Sequence, residues 1–203
     1  TVSVARDPTG QPLYFIAVVE DITGRKEIES RFELTFNHAA VAMVLSTLDA
    51  RYLQVNRKFA DMVGYPPEEL IGKSSLSLAH ADDQLDVAEF PQKLLSGELD
   101  SVTGERRYIH RSGRVIWGSR TLSLARSAAG EPLYFIGVVE DITGRKEREE
   151  RYRAMFENAA VGITRVSLDG VLVDVNQKFC DMLGYTRDEV IGKAIKDITH
   201  PDD

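Results

Sequence analysis

The sequence predicts an α+β fold, built on an antiparallel sheet and repeated in tandem. Three observations lead there. Two short apolar runs, a helical stretch and three longer apolar runs follow one another in that order. The three longer runs are joined by tight turns rather than helical crossovers, which is how antiparallel strands connect. The whole pattern then returns after 120 residues.

The repeat is read directly from the chain. QPLYFIAVVEDITGRKEIES at 11–30 returns as EPLYFIGVVEDITGRKEREE at 131–150, and VNRKFADMVGYPPEELIGK at 55–73 returns as VNQKFCDMLGYTRDEVIGK at 175–193. About half of the 83 overlapping positions are identical. A period this long is a whole domain rather than a solenoid repeat. Residues 27–147 therefore read as one complete unit with its N-terminal linker helix. Residues 1–26 read as the closing strands of a preceding unit plus the start of a linker. Residues 148–203 read as a linker helix and the first half of a further unit. On this reading the chain is an excerpt of a longer tandem array.

Within the unit, Ile28, Phe32 and Phe36 stand at i, i+4 and i+8 of a charged stretch. That spacing predicts an amphipathic helix whose stripe could pair two copies. VAMVLSTLDARYLQVN predicts a hairpin turning at Thr47-Leu48-Asp49-Ala50, with the stronger turn Asp169-Gly170 in the second copy. Asn56 then caps a short helix closed by Gly64. A further helical turn follows at about 67–71, and Thr186 and Glu189 form a capping box in its second-copy counterpart. A longer helix is expected from Asp82 or Asp83 to about Ser96, kinked by Pro91. SVTGERRYIH and RVIWGSRTLSLAR flank the turn Arg111-Ser112-Gly113, and PLYFIGVVEDI closes the unit as a strand apolar on both faces.

Composition excludes several functions. The chain has 203 residues, 43% of them apolar, and a net charge of −7. That acidity argues against nucleic-acid binding, which needs clustered cations. The single cysteine, Cys180, rules out a disulfide framework within one chain. Apolar runs such as Leu133–Val139 fall far short of the ~20 residues that span a bilayer, so no membrane contact is expected. Phosphate-loop, nucleophile-elbow and HExxH motifs do not occur, and no enzymatic activity is expected.

The ordered set Asn56-x-x-Phe59, Gly64-Tyr65, Glu69-Leu70-Ile71-Gly72, His80-Ala-Asp-Asp83, Gly113 with Trp117, and Asp141-Ile142-Thr143 resembles the PAS domain, a bacterial sensory module. Asn176, Phe179, Gly184-Tyr185, Glu189-Val190-Ile191-Gly192 and His200-Pro-Asp-Asp203 repeat it. The resemblance implies a five-stranded antiparallel sheet with helices on one face. It also implies a cavity between them that can hold a small-molecule ligand. A helical linker would report to an output domain, here expected to be a histidine kinase of a two-component system or a cyclic-dinucleotide enzyme such as a diguanylate cyclase. A cytoplasmic homodimer joined through linker helices is expected. The alternative is a ligand-free spacer that only dimerises.

The resemblance also sets the candidate residues. By likeness to light-sensing (LOV-type) relatives, Phe135, Gly137 and Val139 face the cavity. Met43, Leu45, Phe59, Met62, Phe90, Leu94, Leu95, Trp117, Leu122 and Leu124 complete its expected lining. The reactive cysteine of LOV-type relatives corresponds to Ser75 and Ile195 here, and Val139 stands where they use Gln, so a flavin adduct is not expected. The stretch 83–96 has no histidine, so haem is not expected either, and the cofactor is left open. Cys180 reads as a small buried hydrophobe, and His80 with its aspartates as local hydrogen bonding rather than a metal site. Arg106, Arg107, Arg111 and Arg114 read as a solvated charged turn, with anion binding as the alternative. Asp141, Thr143 and Lys146 mark the passage from the last strand into the next helix and are the expected signal relay.

Overall fold

The structure is a computed structural model that describes residues 2–83 and 91–199. The expectations for Phe90, for the entry of the long helix and its kink at Pro91, and for His200–Asp203 lie outside the described residues. One compact unit runs up to Glu140 and a second begins at Asp141.

The first unit opens with a hairpin, β1 (Val2–Arg6) and β2 (Pro12–Ala17), and the helix α1 (Thr23–Asn37). It continues with β3 (Ala42–Ser46), β4 (Tyr52–Val55), α2 (Arg57–Val63) and α3 (Pro67–Leu70). Two 3-10 turns, Ser75–Leu78 and Ala81–Asp83, follow, and residues 91–95 are helical (α4). The strands β5 (Ser101–Ile109), β6 (Val115–Arg126) and β7 (Pro132–Asp141) complete a five-stranded sheet of order β4-β3-β7-β6-β5. The strand β7 thus lies beside β3, in the centre of the sheet, as a continuous apolar run requires.

The β3–β4 turn shows why its two copies differ. Ala50 holds φ at 61°, a left-handed conformation that costs an L-residue roughly 1–2 kcal/mol. Gly170 takes the same position in the second copy at φ 80°, where glycine has no such cost.

One face of the sheet carries the core. Ala42, Val44, Tyr52, Val55, Tyr108, Ile116 and Val139 pack with Phe59 and Val63 of α2, Leu70 of α3 and Leu78. A second cluster joins Leu94 of α4 to Leu122 and Phe135, with Val102 and Leu124 at its margin. The rings of Phe59 and Tyr108 meet edge to face, with centroids 5.9 Å apart.

The second unit repeats the opening of the first. α5 (Thr143–Glu157) leads to the hairpin β8 (Thr164–Val166) and β9 (Leu172–Val175). The helices α6 (Gln177–Leu183) and α7 (Arg187–Val190) follow. Glu189 accepts from the Thr186 backbone N–H at 2.8 Å, one arm of the expected capping box. Cys180 is buried with Leu172, Val175 and Val190, and burial pushes its thiol pKa up, as for a packed hydrophobe.

Asn56 does more than cap. Its side chain is fully buried. Its Oδ1 accepts from the N–H groups of Phe59 and Met43, both at 2.9 Å. Its Nδ2 donates to the carbonyls of Phe36 at 3.0 Å and Val41 at 2.9 Å. One amide therefore ties the end of α1, the start of β3 and the start of α2. Asn176 repeats all four bonds, to Phe179, Ile163, Phe156 and Val161. Replacing Asn56 by alanine removes a helix cap and strands buried backbone groups. The expected loss is roughly 3–5 kcal/mol, read by urea unfolding through the fluorescence of Trp117, the only tryptophan. A loss below about 1 kcal/mol would refute this role.

Candidate functional site

The site is the helix-covered face of the sheet and the exit from its last strand. β3 and β7 pair antiparallel with Ala42 opposite Val139, Val44 opposite Gly137 and Ser46 opposite Phe135. Directly opposed residues project to the same face, so Phe135, Gly137 and Val139 share the helix-covered face with Ala42, Val44 and Ser46.

The same register corrects part of that reading. Met43 lies opposite Val138 and Leu45 opposite Ile136, so both project from the other face of the sheet. Trp117 does too. It pairs with Arg107, whose guanidinium carbon lies 5.5 Å from the centroid of its ring, while Ile116 and Gly118 turn inward. Leu95, at the end of α4, is 37% exposed. Of the expected lining, the structure gathers Phe59, Met62 and Val139 in one cluster and Leu94, Leu122, Leu124 and Phe135 in the other. Gly137 does make room, but its neighbours take the space. A Cβ there would stand 2.8 Å from Val44 Cγ2 and 3.6 Å from Arg120 Nε.

Between the clusters lies a polar belt. Arg106 of β5 is only 6% exposed. Its Nη2 donates to the Ser75 carbonyl at 3.2 Å, and its guanidinium carbon lies 4.2 Å from the Tyr108 ring centroid. Its Nε and Nη1 are buried without a hydrogen-bond partner. Arg120 of β6 lies nearby and is half-buried. Burial, and then the Arg106 cation, hold its pKa below the ordinary arginine range. Burial also pushes the Tyr52 hydroxyl up to about 12, against the pull of Arg106 and Arg120. Among the described residues no carboxylate pairs with either arginine. A buried cation without a carboxylate costs several kcal/mol, so this belt is electrostatically strained.

Strand parity counted back from Tyr108 would have found Arg106, and parity counted from Ile116 would have found Arg120. The sequence reading placed Arg106 with the solvated turn and passed over Arg120. The other turn cations are placed differently. Arg111 pairs with Glu69 at 3.2 Å on the surface. Arg107 is gripped by Asp83, which accepts from its backbone N–H at 2.6 Å and its Nη2 at 2.5 Å. The His80-Ala-Asp-Asp83 segment therefore fastens the 3-10 turn to β5, and the His80 N–H donates to the Arg107 carbonyl at 3.0 Å. His110 packs its ring over Gly64, where an added Cβ would come within 2.2 Å of Nε2.

The exit is short. Only Ile142, which is buried, separates β7 from α5. Asp141 Oδ1 accepts from the Thr143 N–H at 2.9 Å. The first copy builds the same turn, Asp21 Oδ1 accepting from the Thr23 N–H at 2.9 Å. Lys146 donates its backbone N–H to the Ile142 carbonyl at 3.0 Å and so belongs to the first turn of α5.

With this geometry described, known proteins give the class. The sequence matches the PAS fold family over residues 30–142 and again over 150–203. The chain belongs to the PAS family. It is 34% identical over 131 residues to "Probable diguanylate cyclase DgcE" of Escherichia coli (strain K12), covering 64% of this chain and 12% of that protein. It is 25% identical over 122 residues to "Sensor histidine kinase TmoS" of Ectopseudomonas mendocina, again covering 12% of the relative. The chain thus spans about an eighth of the length of these relatives. In structure it resembles a PAS domain from Colwellia psychrerythraea, with a TM-score of 0.53, 21% identity, and coverage of 58% of this chain and 99% of that one. It also resembles a LOV protein of Rhodobacter sphaeroides, with a TM-score of 0.52, 18% identity, and coverage of 64% and 74%. Ser75 is buried and bears a hydroxyl, so the residues present do not fit a cysteinyl-flavin adduct. Among the described residues, no helix is long and apolar enough to cross a membrane, and no three acidic, histidine or cysteine side chains gather to hold a metal.

The grip of Asp83 has a pH signature. Hydrogen bonds from Arg107 hold the Asp83 carboxyl below its ordinary pKa. The stabilisation is therefore complete above the ordinary carboxylate pKa, about 3.9, and is lost as pH falls through the lowered value. Asp83→Asn is expected to cost about 1–2 kcal/mol at pH 7 and to flatten the loss of stability on acidification. Urea unfolding from pH 7 to pH 2.5 measures both, and parallel wild-type and variant curves would refute the assignment.

Proposed function

We propose that the chain is a sensory and relay segment of a cytoplasmic bacterial signalling protein. Residues 27–147 act as the complete sensing unit. Residues 1–26 and 148–203 belong to neighbouring units of the array. A small molecule held on the helix-covered face of the sheet shifts β7, and the shift passes through Asp141, Thr143 and Lys146 into α5 towards an output domain. The relatives' names favour a histidine kinase or a diguanylate cyclase as that output. The segment itself performs no catalysis. The observation that carries this reading is the strand-to-helix turn, where one buried residue and one carboxylate–amide bond join β7 to α5 and the same turn recurs twenty residues into the chain.

In the full-length protein, Asp141→Ala removes the acceptor that fixes this turn. It is expected to abolish stimulus-dependent output while lowering the melting midpoint by only a few degrees. Asp141→Asn keeps an acceptor oxygen and is expected to retain coupling. Normal coupling in the alanine variant would refute the relay.

Self-association is expected through α1. Ile28 is 71% and Phe32 47% exposed, whereas Phe36, counted in the same stripe, is buried in its own unit and unavailable to a partner. Light scattering should therefore report a dimer weakened by Ile28→Glu, and a strict monomer would refute the expectation.

A further inference from the structure

The two arginines on the inner face of the sheet are built in, not left over. Arg106 stands directly across from Gly118, and Arg120 directly across from Gly104. On its other side Arg120 Nε lies against Gly137. Glycine weakens a strand, and here each arginine has a glycine beside it on a neighbouring strand. A sheet that needed only a packed core would place apolar side chains at these inward positions. An arginine cluster with no acid beside it is a costly arrangement unless an anion completes it.

We infer that Arg106 and Arg120 form the recognition site for a small organic oxyanion, a carboxylate or phosphate group carried on an apolar body. The inference rests on the sensory reading above and names the ligand class of that site. Arg106 offers two buried N–H groups, Nε and Nη1, that no protein atom accepts. They lie on opposite edges of the guanidinium, flanking the Nη2 that holds Ser75, so each can donate to its own anionic oxygen. Arg120 supplies the second cation and is half-buried. The walls are apolar on both sides. Leu122 and Phe135 belong to one cluster, Val44 and Val139 to the other. An inorganic ion would satisfy the cations but leave these walls unused, whereas an apolar body bearing one charged head uses both. Bound there, the ligand touches the strands on either side of Gly137, and β7 is the strand that leads into Asp141.

The test uses the 203-residue chain with sodium benzoate and sodium phenyl phosphate as probes, each against sodium chloride at equal ionic strength. At about a hundred times its dissociation constant, a bound probe is expected to raise the melting midpoint by roughly 5–10 °C. The probe that does so identifies the head group. Arg106→Met and Arg120→Met are each expected to weaken binding tenfold or more, while Arg114→Met on the exposed turn leaves it unchanged. Without probe, Arg106→Met is expected to melt no lower than the wild type, because a buried unpaired cation is replaced by an isostere that needs none. No response of the wild type to either probe overturns the inference, as does a response that survives in both inner-face variants. Should one variant fold poorly, the other and the wild-type titration still decide. In the full-length protein, probe binding without any change in output would refute the sensory reading alone. Coupling through Asp141 without probe binding would refute the ligand class alone.

Discussion

The unit depends on one buried amide. Asn56 makes four hydrogen bonds, and each goes to a different piece of backbone. Without them the linker helix, the first strand and the first short helix would meet with their polar groups unsatisfied. Two N–H groups and two carbonyls at one point need two acceptors and two donors, and an asparagine side chain supplies that set. The second unit meets the same requirement with Asn176. The helix α1 is therefore fixed to the sheet by hydrogen bonds rather than by apolar contact alone. That makes α1 part of the folded unit, and any displacement of it must be felt at β3.

Much of this was legible in the residues, for identifiable reasons. The repeat needed no physics, only comparison. The hairpins, the Asn56 cap and the left-handed Gly64 followed from local chemistry, because turn and cap residues act over three or four positions, whereas the face assigned to Phe135, Gly137 and Val139 came from the resemblance to LOV-type strands. What failed was parity on β3 and β6. Met43, Leu45 and Trp117 are apolar, as cavity residues should be. Both faces of these strands carry apolar residues, however, so hydrophobicity cannot say which face a residue takes. Register does, and register is set by a partner about ninety residues away in sequence. Arg106 was misplaced for a related reason. It lies close in sequence to a charged turn, but the strand's two-residue period turns it inward while its neighbour Arg107 turns outward to Asp83.

Among the described residues the inner face carries two apolar clusters with two arginines between them. Two apolar clusters supply the burial that holds helices to sheet. The belt between them contributes charge where the local dielectric is low, which costs stability and raises the affinity for an opposite charge. On the proposed oxyanion reading, such a site gives up part of the stability of the empty unit, which a bound ligand would return by mass action.

The close approach of Gly137 to Val44 has a consequence for how the chain finds its fold. Residues 12–21 and 132–141 carry the same ten-residue sequence except at one position, where Ala17 replaces Gly137. Either segment could compete for the place beside β3 as the polypeptide collapses, a hazard of tandem copies. In that place the methyl of Ala17 would press within 2.8 Å of the buried Val44 side chain. A single carbon atom thus discriminates between near-identical strands and biases the array against exchanging them.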